Sequence, residues 1–184
     1  MKIVQTPNPV LTQKAKPVNK VDKKILSVIN DMKKTLVETD NPKGVGLAAP
    51  QIGLSLQLFI VRPLIKSPVR TFINPEIIWK SEETGEIQRP ENGKSKQKKL
   101  EGCLSIRNVW GHLERSKKVK LRYTNETGKS HEELFEGFMA TIIQHEVDHL
   151  NGILFPTRVL EQKQKLFSIE TDDNGEERLE EIYL

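Results

Sequence analysis

The sequence predicts an α+β domain: small antiparallel and mixed β-sheets packed around a central buried helix, with an amphipathic helix near the N-terminus. Three observations carry this. Residues 22–37 place Ile25, Ile29, Met32 and Leu36 at helical spacing. Short apolar runs bounded by turn residues recur between positions 56 and 135. Residues 137–151 read as a helix that is apolar on two faces, as a helix buried at a domain centre should be.

The elements follow in order. Asp22 is placed to cap the first helix, and Asp40-Asn41-Pro42-Lys43-Gly44 supplies a turn after it. Residues 56–61 form a strand closed by Arg62-Pro63. Residues 71–79 form another, in which Pro75 demands an edge position or a bulge. Residues 119–123 and 132–135 pair across a turn near Asn125-Glu126-Thr127-Gly128. Residues 82–99 are polar and read as a surface excursion; Lys94, Lys96, Lys98 and Lys99 in it suit either RNA or plain solvent, and a solvated loop is the expectation. Residues 1–166 are expected to be a single catalytic domain. The acidic residues 167–184, with the turn signal Asp172-Asp173-Asn174-Gly175, are expected to be a loosely docked tail.

Composition bounds the function. A chain of 184 residues is close to one domain. No run of 18 apolar residues exists, the first residues lack an apolar signal region, and the one cysteine rules out an internal disulfide. The expectation is a cytoplasmic protein with no membrane partner. A net charge of +4 permits a weak polyanion partner without requiring one.

The chemistry lies in residues 137–151, with Gly152 as the stop signal. At 100° per residue, Phe138, Ile142, His145 and His149 share one face. Met139, Ile143, Val147 and Leu150 form a second stripe, and Gln144 and Asp148 take the remaining side. His145-Glu146-Val147-Asp148-His149 matches H-E-x-x-H, in which two histidines bind a metal and the glutamate acts on its water. Glu146 falls between the stripes, beside the metal position, which suits a base. His112 and His131 read as surface residues.

Two histidines leave a catalytic site one ligand short. Glu161 and Glu170 lie downstream. Upstream, Cys103 in Glu101-Gly102-Cys103-Leu104-Ser105 is a buried small hydrophobe, a nucleophile or a thiolate ligand. Gly44-Val45-Gly46-Leu47-Ala48-Ala49-Pro50-Gln51 allows close backbone approach to a ligand, with Gln51 as a neutral donor; it lacks the Gly-Lys-Ser/Thr of a phosphate loop.

Together these three segments, the third being Gln144-His145-Glu146-Val147-Asp148-His149-Leu150, resemble in order and spacing the three motifs of peptide deformylases. The resemblance runs from about Ile3 to Arg158 and includes Ile3-Val4-Gln5-Thr6-Pro7 and Asn74-Pro75. It departs from the family at Arg107, often proline there, at Thr141, and at Trp110, where members carry arginine or an aromatic. These departures bear on the rim of the site rather than its chemistry.

The resemblance implies hydrolysis of the formyl group from an N-terminal formyl-methionine. It implies one divalent metal on Cys103, His145 and His149, Fe(II) in the family, with Zn, Ni or Co also suited to this donor set. It implies Glu146 as proton carrier, and Gln51 and the Leu104 N–H as donors to the formyl oxygen. Val45 and Gly46 would pair with the peptide like an edge strand. Phe138 and Ile142, on the histidine face, are placed to line the methionine pocket, or else pack in the core. The resemblance also implies a Glu101–Arg115 ion pair behind the cysteine loop. The expected partner is a formyl-methionyl peptide or nascent chain, with room for a transient ribosome contact, and the protein is expected to be a monomer. Two other readings share these residues: an H-E-x-x-H endopeptidase with a downstream carboxylate ligand, and a metal-free basic binding module built on Lys94–Lys99.

Overall fold

The structure, a computed structural model, describes residues 1–40, 42–90, 99–171 and 177–182. In chain order its elements are α1 (Lys23–Glu38), β1 (Gly46–Ala48), β2 (Leu58–Val61), β3 (Arg70–Lys80), β4 (Thr84–Glu86), β5 (Glu101–Cys103), β6 (Ile106–Gly111), β7 (Glu114–Ser116), β8 (Lys118–Thr124), β9 (Ser130–Glu136), α2 (Gly137–Leu150), α3 (Phe155–Glu161), β10 (Leu166–Thr171) and β11 (Glu177–Ile182). Single 3₁₀ turns occupy Pro9–Thr12 and Ala49–Ile52.

The main sheet has the order β1-β2-β3-β8-β9. Its strand β2 explains the layering. Leu58 and Ile60 point to one face and join Ile29, Met32 and Leu36 of α1. Phe59 and Val61 point to the other and join Ala140, Ile142, Ile143 and Leu150 of α2. All four β2 side chains are fully buried, so this strand reads as a continuous apolar run with a helix on each side. The Asp22 side chain accepts from Ile25 N–H at 3.0 Å, the cap the sequence predicts.

Pro75 sits in a central strand, not an edge one. The ladder between β3 and β8 shifts register between Ile73 and Glu76, so the missing N–H falls where no ladder bond is needed. Asn74 beside it adopts a left-handed φ of 48°. Its side-chain amide brackets Val18, accepting from its N–H and donating to its carbonyl, both at 2.8 Å.

A second sheet, β11-β10-β6-β5, carries Cys103 at the end of β5. A two-stranded β4–β7 ribbon completes the fold. Every strand pairing is antiparallel, so the expected mixed sheet is absent among the described residues; the one parallel contact is a bridge between Lys16 and Leu56. Sequence neighbours pair in β1–β2, β2–β3, β5–β6, β8–β9 and β10–β11, and the long-range pairings β3–β8, β4–β7 and β6–β10 run antiparallel as well, with no helical crossover between parallel neighbours among the described residues.

Two sequence expectations need correction. The segment expected to be a loose tail is the β10–β11 hairpin. Leu166 pairs with Gly111 and Phe167 with Trp110, and Leu166 packs with Cys103, Leu113, Phe155 and Val159. Glu170 and Glu180 of this edge ribbon are exposed. The polar excursion at 82–99 is anchored at both ends: Thr84–Glu86 pairs with β7, and Ile87 and Leu100 are buried. Lys94, Lys96, Lys98, Asn41 and the turn signal Asp172-Asp173-Asn174-Gly175 lie outside the described residues, and Lys99 is exposed. His112 lies at the surface, as expected, where its Nδ1 meets Glu86 Oε1 at 2.8 Å.

Candidate metal centre and active site

Strand β5, residues 45–51 and one face of α2 converge. Helix α2 brings His145 and His149 one turn apart, with ring centroids 4.9 Å from each other. Cys103 enters from β5, and its Sγ lies 3.2 Å from His149 Nε2. The ligand atoms of Cys103, His145 and His149 all fall within 4.8 Å of one another. A thiol and two imidazoles at this spacing suit a borderline-soft divalent transition metal and not a hard oxygen-seeking ion. The downstream carboxylates go elsewhere: Glu161 pairs with Arg158, and Glu170 is exposed on β10 opposite Arg178.

The surroundings orient these groups. His145 Nδ1 is 2.7 Å from Glu101 Oε1, which leaves Nε2 for the centre. Burial alone would make His145 less basic, but Cys103 and Glu101 outweigh it and hold the pKa well above the usual value. Burial and the neighbouring His145 push His149 the other way, well below its usual value. A neutral imidazole is the ligating form.

Glu101 is buried and would be raised by desolvation, yet Arg115 and His145 hold it well below the usual carboxylate range. Arg115 donates to both Glu101 oxygens at 2.7 Å and to Asp148 Oδ2 at 2.9 Å. Arg158 then caps the other Asp148 oxygen, Oδ1, at 3.0 Å. Gln144 joins α2 to β7, accepting from Ser116 N–H and donating to Ser116 O. The polar side of α2, which the sequence leaves without a task, therefore docks the helix against the small ribbon.

Glu146 is buried, and its Oε2 has no hydrogen-bond partner among the described residues. Desolvation raises its pKa from 4.5 to about 7. Gly46 on β1 makes room for it: a Cβ there would lie 2.8 Å from Glu146 Cδ and 2.9 Å from Ile142 Cγ2. Only glycine lets the edge strand approach so closely.

Gln51 is buried with its oxygen committed to Ala48 N–H at 2.8 Å, so its Nε2 turns toward Cys103 Sγ at 3.5 Å and Ser105 Oγ at 3.3 Å. The N-terminal segment ties the two loops together. Val4 N–H donates to Gln51 O at 2.8 Å, Thr6 N–H to Ser105 O at 3.0 Å, and the Gln5 amide to Leu104 O at 3.0 Å. The Trp110 ring backs Gly102, where a Cβ would lie 2.6 Å from it.

A cavity of about 160 Å³ opens on these groups. Gln51, Cys103, His145 and Glu146 share its wall with Val45, Gly46, Ile87, Leu104, Phe138 and Ile142. It is below the usual range of about 300–1,000 Å³ for small-molecule sites, so it suits one side chain better than a whole ligand. Sequence reasoning missed Ile87, Ser105, Asp148 and Arg158 here. An acid three residues after His145 on the same helix was the available signal for Asp148.

Comparison with known proteins agrees. Residues 1–165 match the polypeptide deformylase family. A peptide deformylase of Pseudothermotoga lettingae is 46% identical over 148 residues, which is 80% of this chain and 76% of that protein. One from Thermotoga neapolitana is 44% identical over 159 residues, covering 86% of this chain and 87% of that one. The crystal structure of peptide deformylase from Thermotoga maritima superposes with a TM-score of 0.74 at 37% identity, over 86% of this chain and 96% of that one. With matching motifs, matching fold and this coverage, the chain belongs to the polypeptide deformylase family.

Proposed function

We propose that the chain is a metal-dependent peptide deformylase that removes the formyl group from the N-terminal formyl-methionine of new polypeptides. The observation that carries this is the Cys103–His145–His149 group beside a buried carboxylate, Glu146, which lines a cavity of side-chain size and has one oxygen without a hydrogen-bond partner among the described residues. Family membership supports the same reading.

Cys103, His145 and His149 would hold the metal, Fe(II) in the cell. When bound, a divalent metal supplies Lewis acidity and lowers the pKa of water toward about 7. Glu146, with a pKa near 7, can both accept and release a proton near neutrality. It takes the proton of the attacking water and returns it to the leaving amine. The water oxygen bonds to the formyl carbon, the C–N bond breaks, and formate and a free amine leave. Gln51 Nε2 and the Leu104 N–H are the donors for the formyl oxygen as it gains charge; such donors contribute about 3–4 kcal/mol each. β1 is an edge strand, so Val45 and Gly46 can pair with the peptide backbone. Phe138 and Ile142 line the cavity for the methionine side chain. The protein acts as a monomer on nascent chains in the cytoplasm.

The test is formate release from formyl-Met-Ala-Ser by protein purified anaerobically, with bound metal counted. Expected are one metal per chain, turnover, and loss of both with a chelator. Cleavage of an internal peptide bond without deformylation would support the endopeptidase reading instead.

A further inference from the structure

The methionine cavity is not the end of the cleft. A second recess of about 150 Å³ adjoins it and shares Lys43, Val45, Arg89 and Phe138 with it. Arg62, Leu64 and Ile65 complete its outer side, where Leu64 and Ile65 are 45% and 57% exposed. Three cationic side chains from three separate segments meet here, and no carboxylate lines the recess among the described residues.

Each cation is tied to the site. Arg62 follows β2, and its N–H donates to Val45 O at 2.7 Å, which fixes it against the edge strand. Its guanidinium also donates to the Ile65 carbonyl, which folds the loop after β2 onto it. Arg89 comes from the excursion between β4 and β5, and its Nη1 donates to Leu100 O at 2.7 Å. Lys43 lies on the rim, 3.5 Å from Asp40 in an exposed pair. An exposed pair of this kind is weak, so Lys43 can exchange Asp40 for another carboxylate.

We propose that this recess receives the side chain of one of the two residues that follow the formyl-methionine, and that Lys43, Arg62 and Arg89 make it select an acidic one. This rests on the deformylase reading. A peptide paired with β1 places its methionine in the inner cavity, and the walls that lead out of that cavity, Val45 and Phe138, are also walls of the recess. The next side chains along the strand therefore pass the three cations. Leu64 and Ile65 offer apolar contact for the methylene part of a glutamate, with the carboxylate among the cations.

The experiment measures kcat and KM for formyl-Met-Asp-Ala, formyl-Met-Ala-Asp and their glutamate, alanine and lysine counterparts. C-terminal amidation keeps the side chain as the varied charge. At about 20 mM ionic strength, where screening is weak, the acidic peptides should exceed the lysine ones in kcat/KM by about fivefold or more, chiefly through KM. The ratio should shrink at about 500 mM salt. It should also shrink in Arg62→Gln and Lys43→Gln proteins. Because Arg89 also holds the Leu100 carbonyl, Arg89→Lys is compared with Arg89→Gln: retained selectivity in the first and lost selectivity in the second assigns the effect to charge. Equal kcat/KM for acidic, neutral and lysine peptides, in an enzyme that turns over formyl-Met-Ala-Ala, overturns the proposal. No turnover of any formyl peptide removes the deformylase reading and this one with it.

Discussion

Glu101 and Arg115 meet through two parallel hydrogen bonds, Nε to Oε2 and Nη2 to Oε1, each 2.7 Å. Both side chains are buried, and the same guanidinium reaches Asp148 on the histidine helix. One cation thus joins the strand of Cys103 to the helix of His145 and His149. Removing one partner strands the other charge, so Glu101→Gln or Arg115→Met should cost about 3–5 kcal/mol. Metal retention should fall by about 10–100-fold, as it does when the support of a ligand is lost. In a double-mutant cycle read by denaturation and by metal affinity, the pair should cost less than the sum of the singles. Additive losses would show that the two groups do not act together.

Glu101 also predicts an acid response. Its pKa in the folded chain lies well below its ordinary value of 4.5. As pH falls, the unfolded chain takes up this proton first. The stability from Glu101 is therefore present above about pH 4.5 and is lost progressively below it. Urea midpoints of the wild type should drop more steeply between about pH 5 and pH 3 than those of Glu101→Gln. Parallel pH profiles would remove Glu101 from the acid-sensitive groups.

Cys103 and Glu146 should separate binding from turnover. Cys103→Ala should lose tightly held metal and activity together. Glu146→Gln should keep near-normal metal content and lower kcat on formyl-Met-Ala-Ser by about 10²–10⁴-fold. Metal analysis beside kinetics on the same preparations checks both. A Cys103→Ala protein with stoichiometric metal would return the third ligand to another residue.

Gly46 is a test of close approach. Gly46→Ala drives a Cβ to 2.8 Å from Glu146 Cδ, so either the carboxylate or the edge strand must move. The expected result is a folded protein whose kcat/KM falls by as much as about 10²-fold. Wild-type activity in this variant would mean that the carboxylate has slack.

Much of this was legible in the sequence, and the limits are physical. The spacing of Ile25, Ile29, Met32 and Leu36 and the Asp22 cap carry α1 with no tertiary information. The histidine spacing on α2 and the Pro75 bulge are likewise local. The three-residue strands β1, β4, β5 and β7 have too few residues to show a period, and their identity comes from distant partners. The β10–β11 ribbon looks like a tail because Glu170, Glu177, Glu180 and Glu181 dominate its composition. Its pairing with β6 is a tertiary fact, as are the Asp148–Arg158 contact and the bonds of Val4, Gln5 and Thr6 to the motif loops.

The β10–β11 ribbon has a consequence for the order of events in the cell. Phe167 is the register partner of Trp110, and Trp110 lies over Gly102, next to Cys103. The sheet that carries the cysteine is thus finished by residues translated after the histidine helix. A growing chain that has already extruded His145 and His149 still lacks the strands that brace the opposite ligand. Vectorial synthesis therefore delivers Cys103, His145 and His149 before it delivers the strands that complete the sheet of the cysteine.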